Sequence, residues 1–571
     1  MGERVTIGTL EELREAGCLT GKAGTQPVCV FMSDGQPFAV DDRCPHMGFP
    51  LHRGSVESGL LTCHWHNARF DLGSGGTLDP WADDVRSYPV EVVDGRVLVV
   101  VEPESGRPAH LARRLEEGLE QGITLVVAKA VLGLLEAGTA TGEIVRVGVA
   151  FGTRYRAAGW GAGLTVLTAM ANVLPSLDPA DRPLALVHGL AFVSRDTRGR
   201  PPRFPLLPLG GRVPAERLGA WYRRFVETRS GDAAERALAS AVATVGPAEV
   251  AELMFAAAAD HVFLDGGHTL DFTNKAFEVL DHVGGAEAGA VLPTLAAQTA
   301  GASRSEERGS WRHPHDLAVL IATATAALPQ RWATRLDGFD HVDGAAALAR
   351  SILSEDPVEV VAALDAAISA GAEPEEVGRA VALAAALRIT RFHTQNDHGD
   401  WDEVHHAFTT ANALHQALLR SPTPELLRGA YHGALRVYLD RFLNVPAARP
   451  APRQGSADLA DLQACWDQEG QVDEAGGIVH RFLAGGGDQA RVVAALGHAL
   501  LSEDAEFHWF QTFEAAVRQV AAWPAGSEEA SLILAGTARY LAAHTPTRRE
   551  LSHVVRIATR LRRGEALFEE S

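Results

Sequence analysis

The sequence predicts a multidomain fold: an all-β N-terminal domain over residues 1–102, then a large all-α domain of repeated helix pairs. Three observations carry this. A chain of 571 residues is too long for a single hydrophobic core. Residues 1–102 are filled with β-branched runs punctuated by turns. From about residue 110 the text becomes Ala- and Leu-rich, with apolar residues three and four apart. A hydrophobic content of 46% and a charged content of 22% are those of an ordinary globular chain.

Within the first domain, "VCVFM", "PFAV", "VRSYPVEVV" and "RVLVVVE" read as short strands. Asp34-Gly35 and Asp94-Gly95 stand between them, and both dipeptides suit tight hairpin turns. The composition changes at "EPESGRPAH", so residues 103–113 read as a linker. "RRLEEGLEQG", "PAERLGAWYRRFVETR" and "PVEVVAALDAAISAG" each carry an apolar stripe of helical period. Residues 114–444 therefore read as a helical domain. "VPAARPAPRQGS" is Pro-rich, which makes residues 445–458 a second linker and 459–571 a C-terminal helical subdomain packed on the first.

Segments of the helical region resemble one another. "LALVHGLAFVSRD" carries His188, "FAAAADHVFLDGGHTLDFTNKAFEVLD" carries His261 and His268, and "VVAALGHALLSEDAEFHWFQTFEAAVRQ" carries His498 and His508. Each begins as an apolar helix with one His near its end. The second and third then turn and start another helix with a second His. A looser copy, "AAALRITRFHTQNDHGDWDEVHHAFTTANAL", has His405 and His406 at the second position only. Such repetition is ordinary in stacked helix pairs, and it also brings equivalent positions to one side of a stack.

The densest chemistry lies in the β region. Cys44-Pro45-His46 is followed by Cys63-His64-Trp65-His66, giving C-x-H and C-x-x-H in two short loops. Cys₂His₂ suits zinc. It also suits a [2Fe–2S] cluster with two thiolates on one iron and two imidazoles on the other. The surrounding "CPHMGFPLHRG" and "CHWHNARFDLGSGG" resemble Rieske ferredoxins and the electron-transfer domains of oxygenases. The resemblance implies that Cys44, His46, Cys63 and His66 hold a [2Fe–2S] cluster, with the two His at its exposed edge. Some Rieske proteins carry an extra disulfide-forming Cys in each ligand loop. Phe49 and Trp65 stand in those neighbourhoods here, which favours the ferredoxin-like branch.

A cluster that stores one electron needs an acceptor. The resemblance to Rieske oxygenases would imply an iron held by two His and a carboxylate, but their mixed α/β catalytic fold does not match a helical region. E-x-x-H occurs at Glu403–His406, and a di-iron carboxylate bundle needs it twice. What remains is histidine. His188, His261, His268, His406, His498 and His508 are candidate ligands of a second, non-haem iron site, mono- or dinuclear, with His268 and His508 the expected catalytic residues. His268, Asp271, Lys275, Glu278 and His282 share one helical stripe, and Leu270, Phe277 and Leu280 lie opposite. The competing readings are plain ones: a charged stripe is ordinarily a solvated face, and a His at a helix end ordinarily caps it. Around "HALLSEDAEFHWFQTFEAAVRQ" (498–519) the chain resembles the questin oxidase family, which implies oxidation of a hydrophobic, polycyclic ketone.

The formal net charge of -20 argues against nucleic acid or an anionic membrane surface as partner. No signal-like or membrane-spanning run is present, and Cys18, Cys29 and Cys465 form no disulfide framework, so a cytoplasmic location is expected. No G-x-G-x-x-G follows a strand, which leaves electron supply to a separate NAD(P)H-dependent reductase. The expectation is an oxygenase or oxidase that uses O₂ on a small hydrophobic substrate. A homo-oligomer fits the passage of electrons between subunits common among Rieske enzymes. The rival expectations are a ferredoxin-like relay whose helices dock a separate oxygenase, and a metal-free questin-oxidase-like monooxygenase.

Overall fold

The computed structural model describes residues 3–101, 107–157, 159–449, 457–565 and 567. They form two compact units, one of residues 1–147 with 551–571 and one of residues 148–550.

The first unit begins with ten strands: β1 (Glu3–Thr9), β2 (Cys18–Ala23), β3 (Gln26–Ser33), β4 (Gln36–Asp41), β5 (Ser55–Glu57), β6 (Leu60–Thr62), β7 (Arg69–Asp71), β8 (Ser87–Tyr88), β9 (Val90–Val93) and β10 (Arg96–Val101). They pair into three antiparallel sheets of order β1-β10-β9, β2-β3-β4-β8 and β5-β6-β7. Both expected hairpins form. Asp34 and Gly35 have φ of 52° and 78°, Asp94 and Gly95 have φ of 50° and 74°, and these positive angles match the right-handed twist of the strands they join. β3 explains why "VCVFM" is apolar without alternation. Val28 and Val30 enter one core with Leu13, Val97 and Val99, whereas Cys29 and Phe31 enter another with Val40, Leu61 and Phe70.

The helices of this unit up to residue 155 include α1 (Leu10–Ala16), α2 (Arg107–Gln121), α3 (Thr124–Glu136) and α4 (Thr141–Tyr155), the last of which continues into the second unit. α2 corrects the expected linker at 103–113. Its Pro108 stands in the first turn, where a missing N–H costs nothing, so the helix takes in 107–113. Residues 103–106 of that linker lie outside the described residues.

In the second unit the helices that matter for the site are α5 (Ala162–Val173), α6 (Arg182–Thr197), α7 (His268–Val283), α8 (Trp401–Arg420), α9 (Phe507–Ala521) and α10 (Glu528–His544). Side-chain caps mark many helix starts here. Asp356, Thr423, Asp488 and Ser527 each accept a hydrogen bond from an amide of the first turn. α5, α7, α8 and α9 form a closed four-helix bundle, each packed on the next. α6 supports α5 from outside.

The Pro-rich segment interrupts the helices without separating a compact unit, since residues 148–550 form one. Helices from both sides of it pack together within the second unit, α8 on α9 among them. Residues 450–456 of the segment lie outside the described residues. Helix α11 (Glu550–Arg562) belongs to the first unit rather than to a C-terminal subdomain. Arg562 pairs with Glu136 there, and a Cβ on Gly48 would lie 3.3 Å from Leu561.

α5 and α6 approach through glycine on both sides. A Cβ on Gly189 would sit 2.7 Å from Leu167 Cα, and one on Gly163 would sit 2.7 Å from Val193 Cα. Gly189→Val must push the helices apart, at a cost of about 1–3 kcal/mol. The urea midpoint of the helical signal in circular dichroism is expected to fall, and an unchanged midpoint would contradict this packing.

Candidate metal centres

The first centre lies in two loops of nearly identical construction. Cys44 donates its N–H to Phe49 O (2.8 Å) and accepts from Gly48 N–H (2.8 Å); Cys63 donates to Ala68 O (2.8 Å) and accepts from Asn67 N–H (2.9 Å). The fifth residue of each loop is left-handed, Gly48 with φ 85° and Asn67 with φ 62°, which turns the chain back sharply enough to aim both Cys inward. The second loop spans β6 and β7, and the first follows β4. Both thiols are buried, while His66 is exposed and His46 partly so.

The thiol pair is built for negative charge. A hydrogen bond from Cys44, with further ones from the Trp65 and His66 amides, lowers Cys63 to about 6. Its neighbour Cys63 and burial push Cys44 up, against the pull of the His46 and Met47 amides. The two His rings meet edge to face at 4.9 Å, and Trp81 closes on His46 at 4.7 Å. Burial, then the charge of Lys129, lowers His46 to about 4. Two sulfurs and two imidazoles converging from paired loops fit a [2Fe–2S] cluster with one all-thiolate and one all-imidazole iron.

The second centre joins three of the six candidate histidines. Ligand nitrogens of His268, His406 and His508 all lie within 4.8 Å of one another, and His406 Nε2 is 3.1 Å from His508 Nε2. These are the second-His positions of three repeats, and each sits in the first two turns of its helix, α7, α8 and α9 respectively. The positive end of a helix favours neutral imidazole. Burial is the larger cause: it lowers His268, takes His406 to about 4 and His508 to about 3, with the neighbouring rings adding to the latter two. Lone pairs are therefore available at neutral pH.

His268 is launched by a tight turn. Asp265, Gly266 and Gly267 have φ of 50°, 67° and 102°, and Thr410 Oγ1 occupies the space a Cβ on Gly267 would need. Phe272 stacks on the His268 ring at 5.2 Å, and Phe507 lies 5.8 Å from it, giving the triad a half-exposed aromatic wall.

His405, absent from the candidate set, is fully buried 4.2 Å from the His508 ring and 4.3 Å from that of His406. Tyr540 Oη lies 3.3 Å from its Nδ1, and its Nε2 has no hydrogen-bond partner. Its adjacency to His406 in the repeat was the available signal. An orphaned imidazole nitrogen beside three neutral imidazoles fits a site that holds a metal ion.

The other three candidates are corrected to structural roles. His188 places Nε2 2.9 Å from Leu501 O and packs on Phe510. His261 lies between Glu227 and Glu306, each 2.8 Å away. His498 is 58% exposed and pairs with Asp181. His188 lies mid-helix in α6, His261 in the turn that follows helix 247–258 and His498 within helix 489–502, so none of them stands at the convergent helix starts. Glu403 of the E-x-x-H pairs with Arg436 instead of joining the triad.

Below the triad the bundle interior is polar. The stripe His268–Asp271–Lys275–Glu278 faces inward and not toward solvent: Asp271, Lys275 and Glu278 are buried. Lys275 Nζ lies 2.8 Å from Glu278 and 3.0 Å from Glu514. Asn172 of α5 donates to both carboxylates and Asp271 accepts from Gln511. Burial works against the Lys275 ammonium, but Glu278, Glu514 and Asp271 hold it above its ordinary value. Burial raises Asp271 to about 7, although Lys275 opposes the rise.

A polar cavity of about 250 Å³ opens beyond Asn274, Glu278 and Arg518. An apolar cavity of about 20 Å³, lined by Phe263, Gly267, Leu270 and Thr410, has room for one very small molecule.

The Rieske [2Fe-2S] domain pattern matches residues 3–89. The same region is 34% identical over 96 residues to the anthranilate 1,2-dioxygenase ferredoxin subunit of Burkholderia cepacia, covering 17% of this chain and 89% of that protein. It is 37% identical over 100 residues to the 3-phenylpropionate/cinnamic acid dioxygenase ferredoxin subunit of Photorhabdus laumondii, covering 17% and 94%. Among solved structures, the ferredoxin of carbazole 1,9a-dioxygenase from Nocardioides aromaticivorans IC177 aligns at 24% identity, covering 17% of this chain and 98% of that one, with a TM-score of 0.17. Through its first domain the chain belongs to the Rieske [2Fe-2S] family, and that domain is homologous to the ferredoxin components of oxygenase systems. Among the described residues no helix is long and apolar enough to cross a membrane.

Two predictions follow from the polar interior. Lys275→Met leaves Glu278 and Glu514 buried without their cation and is expected to destabilise the fold by about 3–5 kcal/mol, read as a lowered urea midpoint; an unshifted midpoint would count against the ion cluster. Asp271 binds its proton more tightly when folded, so its contribution is full below about pH 4 and is lost as pH rises toward 7. Asp271→Asn removes that loss. Its stability relative to wild type should therefore rise between pH 4 and pH 7, and a pH-independent difference would refute the assignment.

Proposed function

We propose that this protein is a Rieske-dependent oxygenase or oxidase whose helical bundle carries a non-haem iron on His268, His406 and His508. The observation that carries the reading is the convergence of three neutral imidazoles from three helices. Three imidazoles leave coordination positions open, and an iron so held binds O₂ and takes up single electrons, which is the chemistry the group supplies when bound.

The chain's own residues do the rest. His268, His406 and His508 bind, with the latter two held close enough to share one ion. His405, steadied by Tyr540 and with Nε2 free, stands ready as a further donor or as a proton acceptor. Phe272 and Phe507 offer aromatic faces to a small hydrophobic substrate, in keeping with the polycyclic class implied by the questin oxidase resemblance. His46 and His66 form the electron exit of the cluster, and a separate NAD(P)H-dependent reductase supplies it.

The ferredoxin relatives support a second reading, in which the chain only relays electrons to another oxygenase. One comparison separates the two. Wild-type protein purified anaerobically is expected to hold more iron than the two atoms of its cluster, and His508→Ala is expected to lose only the excess while the Rieske EPR signal stays. Iron equal to the cluster's two atoms in both proteins would leave the relay reading, and turnover retained by His508→Ala would overturn the role given to the triad.

A further inference from the structure

We propose that Lys129, a residue outside the Rieske domain proper, tunes the reduction potential of the cluster by placing a fixed positive charge against the first ligand loop. Lys129 belongs to α3, beyond the residues 3–89 that match the Rieske pattern and beyond what the ferredoxin relatives share.

Its ammonium has three N–H bonds, and three acceptors surround it: Pro45 O at 2.5 Å, His46 O at 2.8 Å and Asp83 Oδ2 at 3.4 Å. Burial lowers Lys129 below its ordinary value and Asp83 opposes that fall; a neutral amine has only two N–H bonds to give, so three acceptors favour the charged form. The side chain is 9% exposed, which keeps solvent from screening it. Asp83 is shared with Arg114 of α2, at 3.3 Å. Arg114 also donates to Ala82 O and Pro80 O, fixing the loop that presses Trp81 on His46. The two helices thus grip both the first ligand loop and its neighbour, and deliver two cations against one shared carboxylate.

Reduction of a Rieske cluster adds one electron, taken from a one-electron donor, and makes the cluster one charge more negative. A buried cation at the ligand loop stabilises the reduced form over the oxidised one and raises the potential, whereas net charge and solvent exposure set it otherwise. A stand-alone ferredoxin that ends where β10 ends has no such helix.

The test is a mediated redox titration of the full-length holoprotein, followed by the Rieske EPR signal, in wild type, Lys129→Met and Lys129→Arg. At the wild-type midpoint, Lys129→Met is expected to show a reduced-to-oxidised ratio lower by about tenfold, equivalent to about 59 mV for one electron. Lys129→Arg keeps the charge and should stay close to wild type. Iron, acid-labile sulfide and EPR g-values should be unchanged in both. An intact cluster with an unshifted potential in Lys129→Met overturns the proposal, as does an equal shift in Lys129→Arg, which would assign the effect to packing. If Lys129→Met fails to hold its cluster, Asp83→Asn removes the counter-charge and leaves the ammonium. Its potential should then shift upward, and no shift or a downward one rejects the proposal.

Discussion

The second unit depends on the ion cluster of Lys275, Glu278 and Glu514. Two carboxylates and one ammonium buried in a bundle are tolerable only together, because any one left alone would carry the full cost of its lost hydration. Their geometry therefore fixes how α7 and α9 stand to one another along the bundle axis, and Asn172 ties α5 to the same point. A slip of one turn of α9 would break the contacts of Glu514 with Lys275 and Asn172. The three imidazoles near the starts of α7, α8 and α9 gain their mutual spacing from this constraint two turns below. Apolar packing alone would hold the helices together without specifying that register so narrowly.

The two centres differ in how they were readable. The thiolates and imidazoles of the first lie within 23 residues of sequence, in loops set by local turns, so Cys44, His46, Cys63 and His66 could be recognised one by one. The fold class followed with equal clarity from hairpin dipeptides and helical period, because both are local signals. The triad spans residues 268 to 508, and only the repeat hinted that its members correspond. The repeat could not tell that the second His of each copy would converge while the first would not, since that depends on which helix ends the bundle brings together. Charge pattern misled in the opposite sense. Asp271, Lys275 and Glu278 look like a solvated face, and nothing in a single helix reveals that Glu514 and Asn172 arrive from elsewhere to enclose them.

The expected boundaries failed for a related reason. Proline and glycine content marks where a chain can leave regular structure, but not which elements later pack together. The segment around residue 450 interrupts the sequence and not the core, since α8 and α9 meet across it. Residues 107–113 carry a proline that a first helical turn accepts readily, so α2 begins earlier than composition suggested.

Helix α11 makes the first unit discontinuous in sequence. It packs beside the first cluster loop, with Leu561 near Gly48 and Arg43 donating to the Glu565 carbonyl, yet some four hundred residues of the other unit stand in between. A fragment cut after the first domain therefore keeps all four ligand residues but loses the helix that packs against the first ligand loop.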